Sequence, residues 1–346
     1  MKRRYLRLVA MTLLLSLLVV TATACGTNEI REQPQVRIGF FANLTHAQAL
    51  VGQATGAFEQ GFGTDTRVKW MQFNAGFSEV EALLAGDLDI GYIGPGPAIG
   101  GYIKSEGDLQ IIAGAVNGGA VLVGRPDLAF QTVKDLKGKR LAIPQFGNTQ
   151  DLALRNLLAQ NGLKSTADGG DVEILQADNT DIKTYLARGY IDAALLPEPW
   201  GARLIKEVKA KILLDYDQIL RDGKYPTAVV MVRKQFLEEH PDLVEQFLRT
   251  HVELSEFIQT KPEEAKRLIN QQIKQSMGKG LQPDILDAAF QRIVISVNPE
   301  SEGVREFVQI LVRSGYLKKR PDISQLINFD LLNEVLTARG AAMIED

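Results

Sequence analysis

Val36-Arg37-Ile38-Gly39-Phe40 is answered 103 positions later by Lys139-Arg140-Leu141-Ala142-Ile143. Each is a short apolar run followed by a polar break, Asn43-Leu44-Thr45-His46 in the first and Phe146-Gly147-Asn148-Thr149 in the second. An amphipathic helical pattern then begins in both. A second strand pair is expected around residues 67–71 and 170–174. The second helices end in Leu83-Leu84-Ala85-Gly86-Asp87-Leu88-Asp89-Ile90 and Leu186-Ala187-Arg188-Gly189-Tyr190-Ile191-Asp192-Ala193. Gly86 and Gly189 suit a helix C-terminus, where a left-handed residue is needed, and Asp89 and Asp192 stand just inside a third strand. The third strands run into Gly94-Pro95-Gly96-Pro97 and Pro197-Glu198-Pro199-Trp200. Residue identity between the copies is near chance, so what repeats is the order and spacing of elements. A βαβαβ unit written twice predicts an α/β protein of two lobes, each with a mainly parallel sheet. Ligands of such sheets bind at the carboxyl ends of the strands, and both sets of polar breaks therefore aim at one place.

Two further β-rich runs lie between and after the copies: Val121-Leu122-Val123, before Gly124-Arg125-Pro126-Asp127, and Ala228-Val229-Val230-Met231-Val232-Arg233. They are expected to form a two-segment hinge, with lobe I at residues 36–124 plus 228–346 and lobe II at residues 125–227. Helices are expected to start at Pro241 and Pro262, where proline in the first turn is followed by acids. Val244, Phe247 and Leu248 form an i, i+3, i+4 face that would cover the first lobe.

The amino terminus carries Lys2, Arg3, Arg4 and Arg7, then the apolar run Leu13-Leu14-Leu15-Ser16-Leu17-Leu18-Val19-Val20, then Thr21-Ala22-Thr23-Ala24-Cys25. A basic start, a short apolar core and small residues read as a secretory signal peptide over residues 1–24. The core is short for a transmembrane helix. Cys25 after Ala22 and Ala24 resembles a bacterial lipobox, which implies lipidation of Cys25 and a tether over residues 25–35. An ordinary signal peptide with an incidental cysteine is the alternative.

Cleavage before Cys25 leaves 322 of the 346 residues and, by removing those four basic residues, moves the formal charge from −3 to −7. That length suits two domains. The acidic balance argues against nucleic acid and against a polybasic membrane contact. One cysteine permits no internal disulfide, and with His46, His240 and His251 it offers no zinc or iron–sulfur set. No cofactor is expected. The carboxylate pairs Glu79/Glu81 and Asp87/Asp89 read as a helix surface and a strand start. There is no nucleophile elbow, Walker loop or dinucleotide fingerprint, so the chain is not expected to be an enzyme.

Gly86-Asp87-Leu88-Asp89-Ile90-Gly91 before Gly94-Pro95, Leu136-Lys137-Gly138-Lys139-Arg140-Leu141-Ala142-Ile143-Pro144 before Gly147-Asn148-Thr149, and Gly189-Tyr190-Ile191-Asp192-Ala193 before Glu198-Pro199-Trp200 together resemble the solute-binding proteins of ABC importers. The resemblance is nearest to the aliphatic-sulfonate, taurine and nitrate binders of the NMT1/THI5-like group, and covers roughly residues 36 to 300. It implies a type II periplasmic-binding-protein fold and a monomeric, lipid-anchored receptor on the extracytoplasmic face of the cell membrane. Its partners would be a small solute, a permease and an ATPase. The thiamine-pyrimidine enzymes that share the fold have a cysteine-rich active segment, which this chain lacks.

Gly147-Asn148-Thr149-Gln150 is the main anion candidate, because a helix start offers free N–H groups and the positive end of its dipole. Asn148 or Thr149 would cap that helix. Asn43, Leu44, Thr45 and His46 are the first-lobe equivalent. Gly94 and Pro95 let backbone approach a ligand, and Asn117 with Gly118 would face the base of the cleft. Trp200 is expected to stack on an apolar ligand part and Glu198 to accept from an ammonium or amide. Each has a plainer reading, as a cap, a turn or a core side chain. Sulfonates and related oxyanions held by the two helix starts are the expected solutes. The alternatives are a nitrogenous heterocycle or vitamin precursor of pyrimidine, thiamine or flavin type held by Trp200 and Glu198, or a sensory lipoprotein of the same fold.

Overall fold

A computed structural model describes residues 33–345; the leader and Cys25 lie outside the described residues. The repeat is built as two sheets. In the first, strands β1 (Gln35–Phe40), β2 (Arg67–Gln72) and β3 (Ile90–Ile93) are parallel in the spatial order β2-β1-β3. In the second, β6 (Arg140–Ile143), β7 (Glu173–Gln176) and β8 (Ala193–Pro197) are parallel in the matching order β7-β6-β8. Each parallel trio is extended by antiparallel strands. β10 (Pro226–Arg233) pairs with β3 and with β4 (Leu109–Gly118), and β11 (Ile293–Ile295) pairs with β4. β5 (Ala120–Gly124) lies between β8 and β9 (Lys211–Leu214). The sheets are thus mixed rather than mainly parallel, because β10 and β5, by which the chain enters the first and second lobes, run against the trio and pair antiparallel with the strands on both sides.

The repeat is chemical as well as topological at the amino ends of these strands. The Asp89 carboxylate accepts from Arg37 N–H at 2.9 Å and pairs with the Arg37 guanidinium at 2.5 Å and with Arg233 at 3.0 Å. In the second sheet Asp192 accepts from Arg140 N–H at 2.8 Å and pairs with Arg125 at 3.0 Å. The Arg37 and Arg140 side chains each donate to the carbonyl of the glycine that ends the preceding helix, Gly86 and Gly189. A nearly buried carboxylate here is matched by cations and backbone donors, which is what makes such burial tolerable.

The two segments expected to form a hinge lie inside the sheets. Val121-Leu122-Val123 and residues 228–233 are central strands of the second and first sheets, and their continuous apolar runs reflect burial on both faces. The chain crosses at Gly118-Gly119 and again at Lys224-Tyr225, and Gly118 N–H donates to the Tyr225 carbonyl at 2.9 Å. Gly118 and Gly119 have φ of 65° and 74°, and a Cβ on Gly118 would lie 2.6 Å from the Tyr216 ring. Two consecutive left-handed residues in a crowded crossover require glycine.

The helices Pro241–Thr260 and Pro262–Met277 both start on proline, and Val244, Phe247 and Leu248 are fully buried against the first lobe. Glu79 does not lie on the helix surface that the sequence suggests. It stands in the helix Gly76–Ala85 but is fully buried, its carboxyl wedged where Gly39 and Gly91 lack side chains, and neither oxygen has a hydrogen-bond partner. Burial drives its pKa well above the ordinary carboxyl value.

Candidate functional site

The carboxyl ends of both parallel trios face a cavity between the lobes of about 490 Å³, part of it open to solvent. Five helix starts reach it: Asn43, Thr45 and His46; Ala75 and Gly76; Gly94 and Pro97; Asn148, Thr149 and Gln150; and Asn179. Phe41, Asn74, Pro144, Gln145, Pro197 and Thr227 complete the wall. The repeat places these residues in pairs at the same offset of 103: Phe41 with Pro144, Thr45 with Asn148, His46 with Thr149, Gly76 with Asn179, and Gly94 with Pro197.

Among the described residues none that lines the cavity is a lysine, arginine, aspartate or glutamate. His46 adds no charge: it is buried, and burial lowers its pKa to about 3. Its Nδ1 accepts from Phe41 N–H at 3.3 Å, which leaves the proton of the neutral ring on Nε2. The field is therefore set by helix ends, each equivalent to roughly half a positive charge.

Capping is sparse. The helices beginning after Asn43, Ala75, Gly94 and Asp178 have no side-chain cap. The helix Thr149–Gln160 is capped, since Asn148 Oδ1 accepts from Asp151 N–H at 2.9 Å and the Asp151 carboxylate accepts from Gly147 N–H at 2.8 Å. Those bonds occupy Gly147 and Asp151 and leave the N–H groups of Thr149 and Gln150 for an incoming acceptor. Helix starts of this kind hold oxyanions by backbone donors and dipole together.

The lobes are closed on one another. Gly96 N–H faces Thr149 Oγ1 at 3.4 Å, and a Cβ on Gly94 would lie 2.5 Å from that same oxygen. Trp200 Nε1–H donates to Asn43 Oδ1 at 3.1 Å, and Tyr316 O–H donates to Asp151 at 2.5 Å.

Of the residues singled out from the sequence, Asn43, Thr45, His46, Gly94, Asn148, Thr149 and Gln150 line the cavity. Leu44 is in the apolar core, and Pro95 opens its helix without reaching the wall. Asn117 donates to the Asn298 carbonyl at 3.1 Å, Gly118 forms the crossover, and Gly147 turns the chain at φ 74°. Trp200 is 5% exposed, packed in the second-lobe core with Arg203 over its ring at 4.4 Å; it is outside the cavity wall and borders an adjoining recess shared with Asn43, Asn74 and Asn179. Glu198 is turned from the cavity. Its carboxylate accepts from Ala202 N–H at 3.0 Å and pairs with Arg292 at 3.2 Å, and it is fully buried. Asn74, Gly76, Gln145 and Asn179 went unread, although the repeat pairs Gly76 with Asn179 at the ends of β2 and β7.

This is a two-lobed periplasmic-binding-protein fold. It is similar to the alkanesulfonate-binding protein SsuA from Xanthomonas axonopodis pv. citri bound to MOPS, with a TM-score of 0.73, 20% identity, and 86% of this chain and 99% of that one covered. The periplasmic nitrate-binding protein NrtA from Synechocystis PCC 6803 is similar with a TM-score of 0.74, 17% identity and 89% of both chains covered. Residues 29–273 match the NMT1-like family, and the chain belongs to it. The taurine-binding periplasmic protein of Escherichia coli K12 is 32% identical over 206 residues, 59% of this chain and 61% of that protein.

Proposed function

We propose that the protein is the solute-binding component of an ABC importer, and that it captures a small sulfonate or related oxyanion between its lobes for delivery to a permease and its ATPase. The observation that carries this reading is the convergence of five helix starts, four without side-chain caps, on a cavity whose described lining bears no charged side chain. Such a site favours an anion whose charge is spread over several acceptor oxygens. Phe41, Ala75, Pro97, Pro144 and Pro197 give the rest of the wall an apolar character suited to a small organic group. The names of the taurine-binding and alkanesulfonate-binding relatives support the same class. The role is binding and not catalysis, as in the named relatives. A heterocycle held by Trp200 and Glu198 loses support, because both side chains are already engaged within the protein.

Export with lipidation of Cys25 belongs to the same proposal, which places the receptor on the extracytoplasmic face of the membrane as a monomer. A thermal-shift series of alkanesulfonates, taurine, nitrate, ureas, pyrimidines and flavins tests the solute class. At about 100 times the dissociation constant, a bound solute adds about 2.7 kcal/mol of stability. Sulfonates that shift the transition while ring compounds do not support the reading, and the reverse pattern refutes it. Cys25→Ser should release the protein from the membrane fraction; retention there would refute the anchor.

A further inference from the structure

Arg292 is the residue that ties the two lobes at the crossover. It precedes β11 of the first sheet, and its carbonyl lies 3.1 Å from where a Cβ of Gly118 would stand. Its side chain reaches two carboxylates of the second lobe. Nη1 pairs with Glu198 at 3.2 Å and Nε with Asp215 at 2.9 Å, while Nη1 also donates to the Ala288 carbonyl at 3.1 Å. Glu198 in turn is fixed to the crossover itself, since its N–H donates to the Gly119 carbonyl at 2.8 Å. One cation thus spans both lobes beside the point where the chain crosses between them.

We propose that Arg292 is a positioning residue for solute capture, and that uptake of a proton by Glu198 loosens its hold on the second lobe and lowers solute affinity. Glu198 is fully buried, and of its two strong partners only Arg292 carries charge. Once protonated it ceases to be a counter-ion for Arg292, which keeps Asp215 alone across the crossover. The other charged groups nearby are already engaged or add to the acid side. Lys206 pairs with Asp284 and Arg203 with Glu207 on the adjoining helix, and Asp217 follows Asp215 in the helix Tyr216–Ile219. The hydroxyl of Tyr225 donates to the Tyr216 carbonyl and stays neutral, its pKa raised by burial. Desolvation pushes the Glu198 carboxyl up to about 7, against the opposing pull of Ala202 N–H and Arg292, so the change falls within ordinary working pH. The two buried histidines do not compete there, since burial lowers them to about 3 for His46 and about 4 for His251.

The inference relies on the oxyanion reading only for the choice of solute. Methanesulfonate keeps its charge across the range, so its affinity measured by calorimetry from pH 6 to 8.5 reports on the protein. Affinity is expected to fall about fivefold from pH 8 to pH 6 in the wild type, and the slope is expected to vanish in Glu198→Gln. Arg292→Gln should weaken binding throughout and remove the slope, while Arg292→Lys should restore part of both. The radius of gyration at the two pH values gives a second readout that needs no solute: the wild type should expand at pH 6 and Glu198→Gln should not. Flat wild-type affinity and a flat radius, or a slope that survives in Glu198→Gln, would overturn the proposal. Methanesulfonate failing to bind at any pH would count against the oxyanion reading, and the radius would then decide this one.

Discussion

The indole N–H of Trp200 donates to Oδ1 of Asn43 at 3.1 Å, and the two residues stand on opposite lobes. Asn43 precedes the short helix Leu44–His46 and its side chain does not cap it. The oxygen of the amide that the sequence assigns to the ligand is therefore spent on closure, while the residue still borders the cavity. Trp200→Phe keeps the apolar ring and the site for Arg203 but removes the bond. A neutral hydrogen bond contributes about 0.5–1.5 kcal/mol, so affinity for every solute should drop about two- to twelvefold. Asn43→Ala should cost a similar amount, and the double variant no more than either alone. Calorimetry on the cycle checks this; additive losses would mean that the two residues act separately.

Gly96→Ala should block closure without harming either lobe. The added Cβ would stand 2.9 Å from the Gly147 carbonyl oxygen and 3.0 Å from Asn148 C and Thr149 N, all backbone of the facing lobe. Overpacking of that kind costs about 1–3 kcal/mol and is felt only when the lobes meet. Solute affinity should fall at least about fivefold, with the melting temperature of the solute-free protein held or slightly raised by the better helix former. Unchanged affinity would show that the closed contact is not needed for binding.

Glu79 gives a stability signature. Its folded pKa is raised by burial above the ordinary 4.5. Below about pH 4.5 both states hold the proton; above it the unfolded chain gives the proton up first, and the folded state loses stability as pH rises. The loss is about 1.4 kcal/mol per pH unit until the buried carboxyl itself ionises. Glu79→Gln keeps the shape and removes the titration. Denaturant melts should show the variant gaining on the wild type as the pH rises above about 4.5. A constant difference across that range would mean that Glu79 finds a partner in solution.

The order of elements and much of the cavity could be read from the sequence, because the cavity is the repeat seen end on. Following the offset of 103 through the ends of β2 and β7 would also have found Gly76 and Asn179. What resisted was side-chain direction at a helix start. Glu198 occupies the repeat position of Pro95 and, like it, misses the wall, whereas Pro97 lines the cavity and its counterpart Trp200 does not. Arg292, which engages Glu198, lies beyond the repeat and bears no periodic mark. Charge on His46 was also illegible, since burial and not sequence neighbours sets it. Residues 121–123 and 228–233 are strands and not connecting segments, and the sequence does not separate the two because both look alike as apolar runs.

The most direct test compares ethanesulfonate with its neutral isostere ethyl methyl sulfone by calorimetry at one pH and ionic strength. Two are nearly alike in size, and only one carries the charge that converging helix starts should hold. Hydrogen bonds to a charged acceptor contribute about 1.5–3 kcal/mol each, so two such bonds give the sulfonate an advantage of about 100-fold or more. Ethanesulfonate binding with that margin, and a Thr149→Ala variant that retains most of it through the backbone donors, is the predicted result. Equal affinity for the two compounds, or binding of ring compounds with neither of them, would contradict it.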